Sequence, residues 1–557
     1  QVLSSEDSRG PRAYRSYRAI KRTRTSAWGS ALIALVMVAS GCGSSTATGS
    51  APESSRLEVS STKTSSTKTS SIKTSSIKTF IPKASKISWR RCSGGECGSM
   101  KVGLRASDDP LAKGAKVIDL ALFRARATEP SKRIGVLLIN PGGPGGSGFD
   151  AARSLANYLP SAITRRFDIV GWDPRGTGRS THVKCGNRLD YLFNSDTAPD
   201  SFKERTELER VAQRFADACA SRSGDLLDHV SSFDTVRDME SIRRALGESK
   251  INYLGYSYGT FIGALYARDY PNHVRSMVLD GAVDPAVAPE TSLIEQAQGL
   301  SRALNLFFDW CDIQKKSVKG CDFGEGRASR AYESLRLATD VKPVTYKKRI
   351  FGPSQFDLGV SSYLYSGEGG YEMLASALED LANGDAQTLL DSSDAYVGRS
   401  SDGTYDASWA AFLAVSCLDG PSLGDEVALA GVSKRARSAS KDFGAASVGL
   451  GYPCAYWPSK PLLAESLPIA APLAPPIVVI GTRDDPITPL VWAQGLATEL
   501  KSGHLVVAPG AQHTSYPSGD GCLDPIINSY FLRLRVPPDQ AACPAPQVVI
   551  ATGSPVI

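Results

Sequence analysis

The chain has 557 residues, enough for a large enzyme with an insertion or for several domains, and its 42% hydrophobic content is ample for a core. Its net charge of +6 is unevenly divided: residues 1–91 hold 16 Lys and Arg against 4 Asp and Glu, while the remaining 47 against 53 leave the body at −6. The basic character belongs to the tail, and no basic patch in the body argues for a nucleic-acid partner.

Basic side chains from Arg9 to Arg24 precede the apolar run Ala27 to Ser40, which is shorter than the roughly 20 residues a membrane-spanning helix needs. The run ends in Val38-Ala39-Ser40-Gly41-Cys42. Small residues before a cysteine resemble the lipobox of bacterial lipoproteins, so residues 1–42 are expected to be an export signal that ends at a lipidated Cys42 facing outside the cell membrane. Ala39 stands where that motif usually has Leu, which leaves secretion without a lipid as the alternative. Residues 43–86 carry four tandem pentads, Ser-Ser-Thr-Lys-Thr at 60 and 65 and Ser-Ser-Ile-Lys-Thr at 70 and 75, too polar to offset the entropy of ordering them. They are expected to be a tether. Ten further cysteines, from Cys92 to Cys543, form an even set that points to disulfides in an exported chain. Neighbour-to-neighbour pairing is the simplest of many connectivities. Cys92-x4-Cys97 lacks a second ligand pair nearby, so no zinc site is expected.

From Ile87 the texture is that of a folded domain. Lys116 to Arg126 and Ile134 to Asn140 are strand candidates, the second ending in Pro141-Gly142-Gly143-Pro144-Gly145-Gly146-Ser147-Gly148. Phe167 to Trp172 leads into Asp173-Pro174-Arg175-Gly176-Thr177-Gly178-Arg179-Ser180. Thr235 and Asp238 have the spacing of a capping box, with Val236, Met239, Ile242 and Leu246 following at helical spacing. The apolar run Ile251 to Leu254 passes through Gly255-Tyr256-Ser257-Tyr258-Gly259 into a helical stretch, and Val274 to Leu279 is the next strand. Strands alternating with helices predict an α/β fold, a doubly wound and mostly parallel sheet.

The following strand, Ile477 to Ile480, comes almost 200 residues later. Compact domains do not hold structureless loops of that length, so residues 286–465 are expected to be an inserted, largely helical cap over Ser257. Helical faces are legible from Leu293 to Phe308, near Tyr371 to Asn383 and from Ser408 to Cys417. The core then divides into 87–285 and 466–557. The second part holds Asp484-Asp485-Pro486 after its strand, the strand His504 to Val507, the loop Pro509-Gly510-Ala511-Gln512-His513, and an amphipathic stretch from Ile526 to Leu534.

A strand running into a helix through G-x-S-x-G lifts a serine hydroxyl clear of the sheet, so Ser257 is the candidate nucleophile. Alone, the motif is equally a glycine-rich turn. A serine needs an imidazole to take its proton, and the imidazole needs a carboxylate to fix its tautomer. Of five histidines only His513 lies in a loop after the last strand, and it is the candidate base. Asp485 is the candidate acid, aimed by a turn that Pro486 and Pro489 stiffen; Asp484 is the alternative. Tyr258 and Gly143 are the candidate oxyanion donors through their N–H groups, since Pro144 has none. The glycine run lacks the Gly-Lys-Ser/Thr of a phosphate loop, and no metal or organic cofactor is implied. Arg175 is expected to brace its loop, and Tyr256 and Tyr258 to pack.

Taken together, Asn-Pro-Gly-Gly-Pro-Gly-Gly-Ser-Gly, Trp-Asp-Pro-Arg-Gly-Thr-Gly-Arg-Ser, Gly-Tyr-Ser-Tyr-Gly-Thr, Asp-Pro-Ile-Thr-Pro and Gln-His-Thr-Ser-Tyr resemble the α/β-hydrolase peptidases of the proline iminopeptidase and tripeptidyl aminopeptidase group. The exported bacterial tripeptidyl aminopeptidases are the most similar. The resemblance runs from about Ile87 to Cys543. It implies an acyl-enzyme serine exopeptidase that releases short peptides, tripeptides above all, from free N-termini, with Ser257, Asp485 and His513 as the triad. It also implies that carboxylates of the cap meet the substrate's ammonium group, for which Asp419, Glu372 and Glu379 are candidates. A carboxylesterase or lipase on the same scaffold is the alternative, and a binding protein that keeps the fold is a third.

Overall fold

The computed structural model of the protein describes residues 85–314, 321–519 and 521–544. The expected signal peptide, Cys42 and all but the end of the tether lie outside them. The strand segments assemble into one ten-stranded sheet. In chain order these are β1 (Ser88–Cys92), β2 (Gly95–Gly103), β3 (Val117–Ala125), β4 (Gly135–Asn140), β5 (Phe167–Trp172), β6 (Ile251–Tyr256) and β7 (Val274–Asp280). After a separate hairpin, β8 (Val344–Tyr346) with β9 (Arg349–Phe351), come β10 (Ile477–Thr482), β11 (Gly503–Ala508) and β12 (Ala541–Ala542). The order across the sheet is β1-β2-β3-β5-β4-β6-β7-β10-β11-β12. β1, β2, β3 and β5 are antiparallel neighbours, and every pairing from β5 to β12 is parallel.

Parallel neighbours require crossovers, and the chain supplies helices. They include α1 (Gly148–Tyr158), α2 (Phe202–Ser223), α3 (Ser232–Ala245) and α4 (Tyr258–Asp269). All residues of β4, β5 and β10 are buried, as strands covered on both faces must be. Alternation within β4 sends Leu137 and Ile139 to a layer with Phe149 of α1 and Phe531, and Val136 and Leu138 to a layer with Met239 and Ile242 of α3 and Leu265 of α4.

The capping box expected at Thr235 and Asp238 is not formed. α3 begins four residues earlier than that pattern implies, with Ser231 as its N-cap accepting the Asp234 N–H. Asp238 instead sits inside the helix, and its carboxylate receives Arg175 Nε and Nη2 at 2.7 Å each. A buried guanidinium needs a counter-charge more than a helix interior needs a cap. Arg175 also donates to the carbonyls of Leu104, His229 and Gly103, so it locks its loop to β2 and to the turn before α3.

Between β7 and β10 stand α5 (Pro289–Gln314), α6 (Ala328–Val341), α7 (Pro353–Leu364), α8 (Glu368–Ala382), α9 (Gln387–Val397), α10 (Ser408–Asp419) and α11 (Glu426–Ala439). α5, α8 and α10 occupy the three segments whose periodicity is legible. The stretch between β5 and α3 packs onto these helices. Ser354 Oγ lies 3.1 Å from both Thr197 N and Thr197 Oγ1, Gln355 Nε2 donates to Phe193 O at 2.7 Å, and the Phe193 ring stacks on Tyr405. After β10 come α12 (Leu490–Glu499) and α13 (Leu523–Arg533). The disulfides are Cys92–Cys97, Cys185–Cys219, Cys311–Cys321, Cys417–Cys454 and Cys522–Cys543, the neighbour-to-neighbour set. Bonds of this number suit an oxidising compartment outside the cytoplasm. Among the described residues no helix is long and apolar enough to cross a membrane.

Candidate active site

Strand register brings the carboxyl ends of five strands into one row. Asn140 pairs with Gly255, Tyr256 and Ile480 both pair with Asp280, and Thr482 pairs with Ala508. The glycine run, Ser257, Asp485 and His513 therefore leave the sheet at the same edge, where ligands of open α/β sheets bind. Ser257 has φ 52 and ψ −127, a strained conformation for a residue with a side chain, and its N–H donates to Asp280 O at 2.9 Å. The turn is too tight for side chains on either side. A Cβ on Gly255 would lie 2.5 Å from Gly259 O, and one on Gly259 2.8 Å from Asn140 O.

Asp485 is buried in the turn after β10, where Oδ1 accepts the N–H groups of Ile487 and Thr488 at 2.8 and 2.9 Å and Oδ2 accepts the Thr488 hydroxyl at 3.1 Å. His513 Nδ1 lies 3.0 Å from both carboxylate oxygens. A nitrogen between two carboxylate oxygens carries the proton, which leaves Nε2 as the basic nitrogen of a neutral ring. Nε2 is buried and makes no hydrogen bond among the described residues. Asp484 is half-buried, and its backbone N–H donates to Gly510 O at 3.0 Å.

Two further contacts hold His513 that the sequence did not announce. Its backbone N–H donates to Tyr365 O at 2.8 Å just past α7, and the Tyr365 ring stands edge-on to the imidazole at 5.4 Å. Ser515 and Tyr516, two and three residues on, donate their N–H groups to the Asp280 carboxylate. The elbow joins the same loop, because Tyr256 OH donates to Tyr516 O at 2.8 Å.

The glycine run lies against the elbow: a Cβ on Gly142 would sit 2.5 Å from Tyr256 O and 2.8 Å from Tyr258 N. Asn140 Oδ1 takes the Gly142 N–H at 2.8 Å, while the N–H groups of Gly143 and Tyr258 have no hydrogen bond among the described residues. Asp173 fixes the far end of the run by accepting Ser147 Oγ at 2.6 Å, Phe149 N–H at 3.1 Å and Arg179 N–H at 2.7 Å.

Residues 135–324 match the family model described as alpha/beta hydrolase fold, and residues 440–543 match the model described as TAP-like protein. The chain is 35% identical over 447 residues to serine protease Hip1 of Mycobacterium tuberculosis, covering 77% of this chain and 84% of that protein. It belongs to the α/β-hydrolase serine peptidases. The carboxylesterase B of the same organism is also 35% identical, over 474 residues, covering 83% of this chain and 88% of that protein. A tripeptidyl aminopeptidase of Streptomyces lividans is 28% identical over 479 residues, covering 82% and 86%.

In this hydrolase the three carboxylates considered for the ammonium group are differently placed. Glu372 is exposed on α8, and Glu379 stands half-buried on the same helix beside Asn383. Asp419 is fully inside. It ends α10, accepts the Ser232 N–H at 2.8 Å and the Tyr258 hydroxyl, and burial raises its pKa to about 6. A pocket opens beside Tyr258, lined by Phe261, Val283, Leu463 and Leu467 with Asp284 and Asp419 at its wall.

Proposed function

We propose that this serine hydrolase is an exopeptidase that removes short peptides, tripeptides foremost, from free N-termini. The carrying observation is a strained serine at the head of α4, in the same row of strand ends as an imidazole whose Nδ1 is fixed on Asp485 and whose Nε2 is unengaged. In this reading Ser257 Oγ attacks the scissile carbonyl carbon as His513 Nε2 takes the hydroxyl proton. The carbonyl oxygen becomes an oxyanion between the N–H groups of Gly143 and Tyr258. His513 passes its proton to the leaving amine, the C–N bond breaks, and the released fragment stays as an ester on Ser257. Water then attacks that ester while His513 takes one of its protons, and the acid leaves with Ser257 protonated again.

Asp419 supports recognition of a free amino terminus, since a carboxylate at the wall of an apolar cavity next to the elbow attracts a desolvated ammonium group. The match to a carboxylesterase B favours a second reading, ester hydrolysis by the same residues. The test compares chromogenic tripeptides with free and blocked amino termini and a short acyl ester, on wild type and Ser257→Ala. Turnover of the free peptides alone, abolished by the substitution, is the expected result; ester turnover without peptide cleavage would overturn it. We also propose export, with Cys42 carrying a lipid, and expect Cys42→Ala to shift the protein from the membrane fraction to the medium.

A further inference from the structure

Asp280 closes β7 and is fully buried, yet it has no part in the acyl-transfer scheme above. Its two ends face different members of the site. The main-chain carbonyl accepts the Ser257 N–H at 2.9 Å. The carboxylate accepts the Ser515 N–H at 3.1 and 3.0 Å from its two oxygens and the Tyr516 N–H at 2.7 Å. One residue thus grips the backbone of the nucleophile and the backbone just past the base.

The segment it grips is under strain. Thr514, between His513 and Ser515, has φ 69, which a β-branched residue rarely adopts. Such a conformation persists only when its surroundings over-determine it, and here the two N–H groups that follow it are drawn onto Asp280. The residue after Asp280 completes the fit. Gly281 has φ 65, and a Cβ there would lie 3.0 Å from His513 Cε1 and 2.9 Å from Thr514 Cγ2, so only glycine lets the chain pass beneath the imidazole.

A carboxylate in this position is costly to keep. Burial pushes its pKa up to about 7, against the two backbone donors and His513, which lower it, and with Asp485, which raises it further. An apolar strand end would fill the space without that cost but would leave the Ser515 and Tyr516 N–H groups unpaired.

The geometry points to Asp280 as a positioning residue: it holds the strained Thr514 turn and so sets the separation and angle between Ser257 and His513 Nε2. This rests on Ser257 and His513 as nucleophile and base. Asn at 280 keeps one acceptor oxygen but turns an amide NH2 towards the second donor. The experiment measures kcat and KM of full-length wild type, Asp280→Asn, Thr514→Gly and the double variant on a free-amino chromogenic peptide. The rate of Ser257 phosphonylation and the melting temperature are measured alongside.

For Asp280→Asn the expected result is kcat lower by about 10- to 100-fold, as for a misplacement of about 1 Å, with KM within about twofold and slower phosphonylation. Thr514→Gly, which removes the strain, is expected to return part of that kcat in the double variant. Wild-type kcat in a folded Asp280→Asn would overturn the proposal, as would a loss that appears in KM alone. If the single variant does not fold, the double variant decides by the same criteria. Failure of phosphonate to label Ser257 in wild type would strike the catalytic reading itself, a result separate from any effect at Asp280.

Discussion

His513 meets three separate parts of the chain: Asp485 on Nδ1, Tyr365 through its carbonyl on the backbone N–H and its ring against the imidazole, and Gly281 beneath it. In the proposed mechanism Asp485 supplies orientation rather than mere charge, so Asp485→Asn is expected to lower kcat by about 10³- to 10⁴-fold by stabilising the wrong tautomer. Asp484→Asn, which leaves a backbone bond untouched, should change kcat by less than about twofold in the same steady-state assay. The convergence of Ser257, Asp485 and His513, the residues proposed as the triad, was legible because their order and loop positions are dictated by the strand pattern. Asp280 was not, for in one dimension it is only the polar end of an apolar strand. Its meaning comes from Ser515 and Tyr516, 235 and 236 positions away.

Asp419 gives a test by pH. Its folded pKa of about 6 lies above its ordinary value near 3.8, so between these the folded protein binds protons that the unfolded chain does not. Stability from this group is therefore lost as pH rises through about 6, at up to about 1.4 kcal/mol per pH unit between the two values. The groups facing it are the Ser232 N–H and hydroxyl, the Tyr258 hydroxyl and Asp234, the last opposing its ionisation. Asp419→Asn does not titrate. Urea denaturation at about pH 5 and about pH 8 should show the stability difference moving towards the variant at the higher pH, whatever constant offset the lost acceptor brings.

At the scale of elements, the loop after β5 is as tightly specified as any helix. Arg175 and Asp238 form a buried, two-pronged ion pair whose remaining donors all find carbonyls. Removing one partner leaves an uncompensated buried charge, so Arg175→Met is expected to cost about 3–5 kcal/mol in chemical denaturation. Its bracing role could be anticipated from the Asp-Pro-Arg-Gly segment, but its partner could not. Asp238 carries the spacing of a cap, and Ser231 with Asp234 carries it too; only the position of Arg175 in space decides between them. Helices between β7 and β10 were legible where one face is apolar, as in α5. α6, α7, α9 and α11 escaped, as did the part played by residues 193–197, because Thr197 and Ser354 advertise nothing until they meet.

Across the whole molecule, one disulfide stands beside a contact between the helices that follow β7 and the head of α4. Cys417–Cys454 closes a loop of 37 residues, two residues before Asp419 and its bond to Tyr258. Loop entropy gives a link of this span about 3–4 kcal/mol. The paired Cys417→Ser and Cys454→Ser variant should lose stability of that order and also lose activity at temperatures where the wild type is fully folded. Parallel denaturation curves and kcat measurements would check both.

The sheet order has a practical corollary. β1 and β12 are its two edges, nine strand spacings apart, and at about 4.8 Å each this is roughly 40 Å. A molecule grafted to a bead or a vesicle through the residues ahead of β1 is held by one flank, and β10 and β11, which lead into the loops of Asp485 and His513, occupy the opposite flank, turned to the traffic. Grafting through the residues beyond β12 turns the molecule round and crowds those loops against the support. The same enzyme, mounted by its two ends, will present different clearances to a bulky substrate.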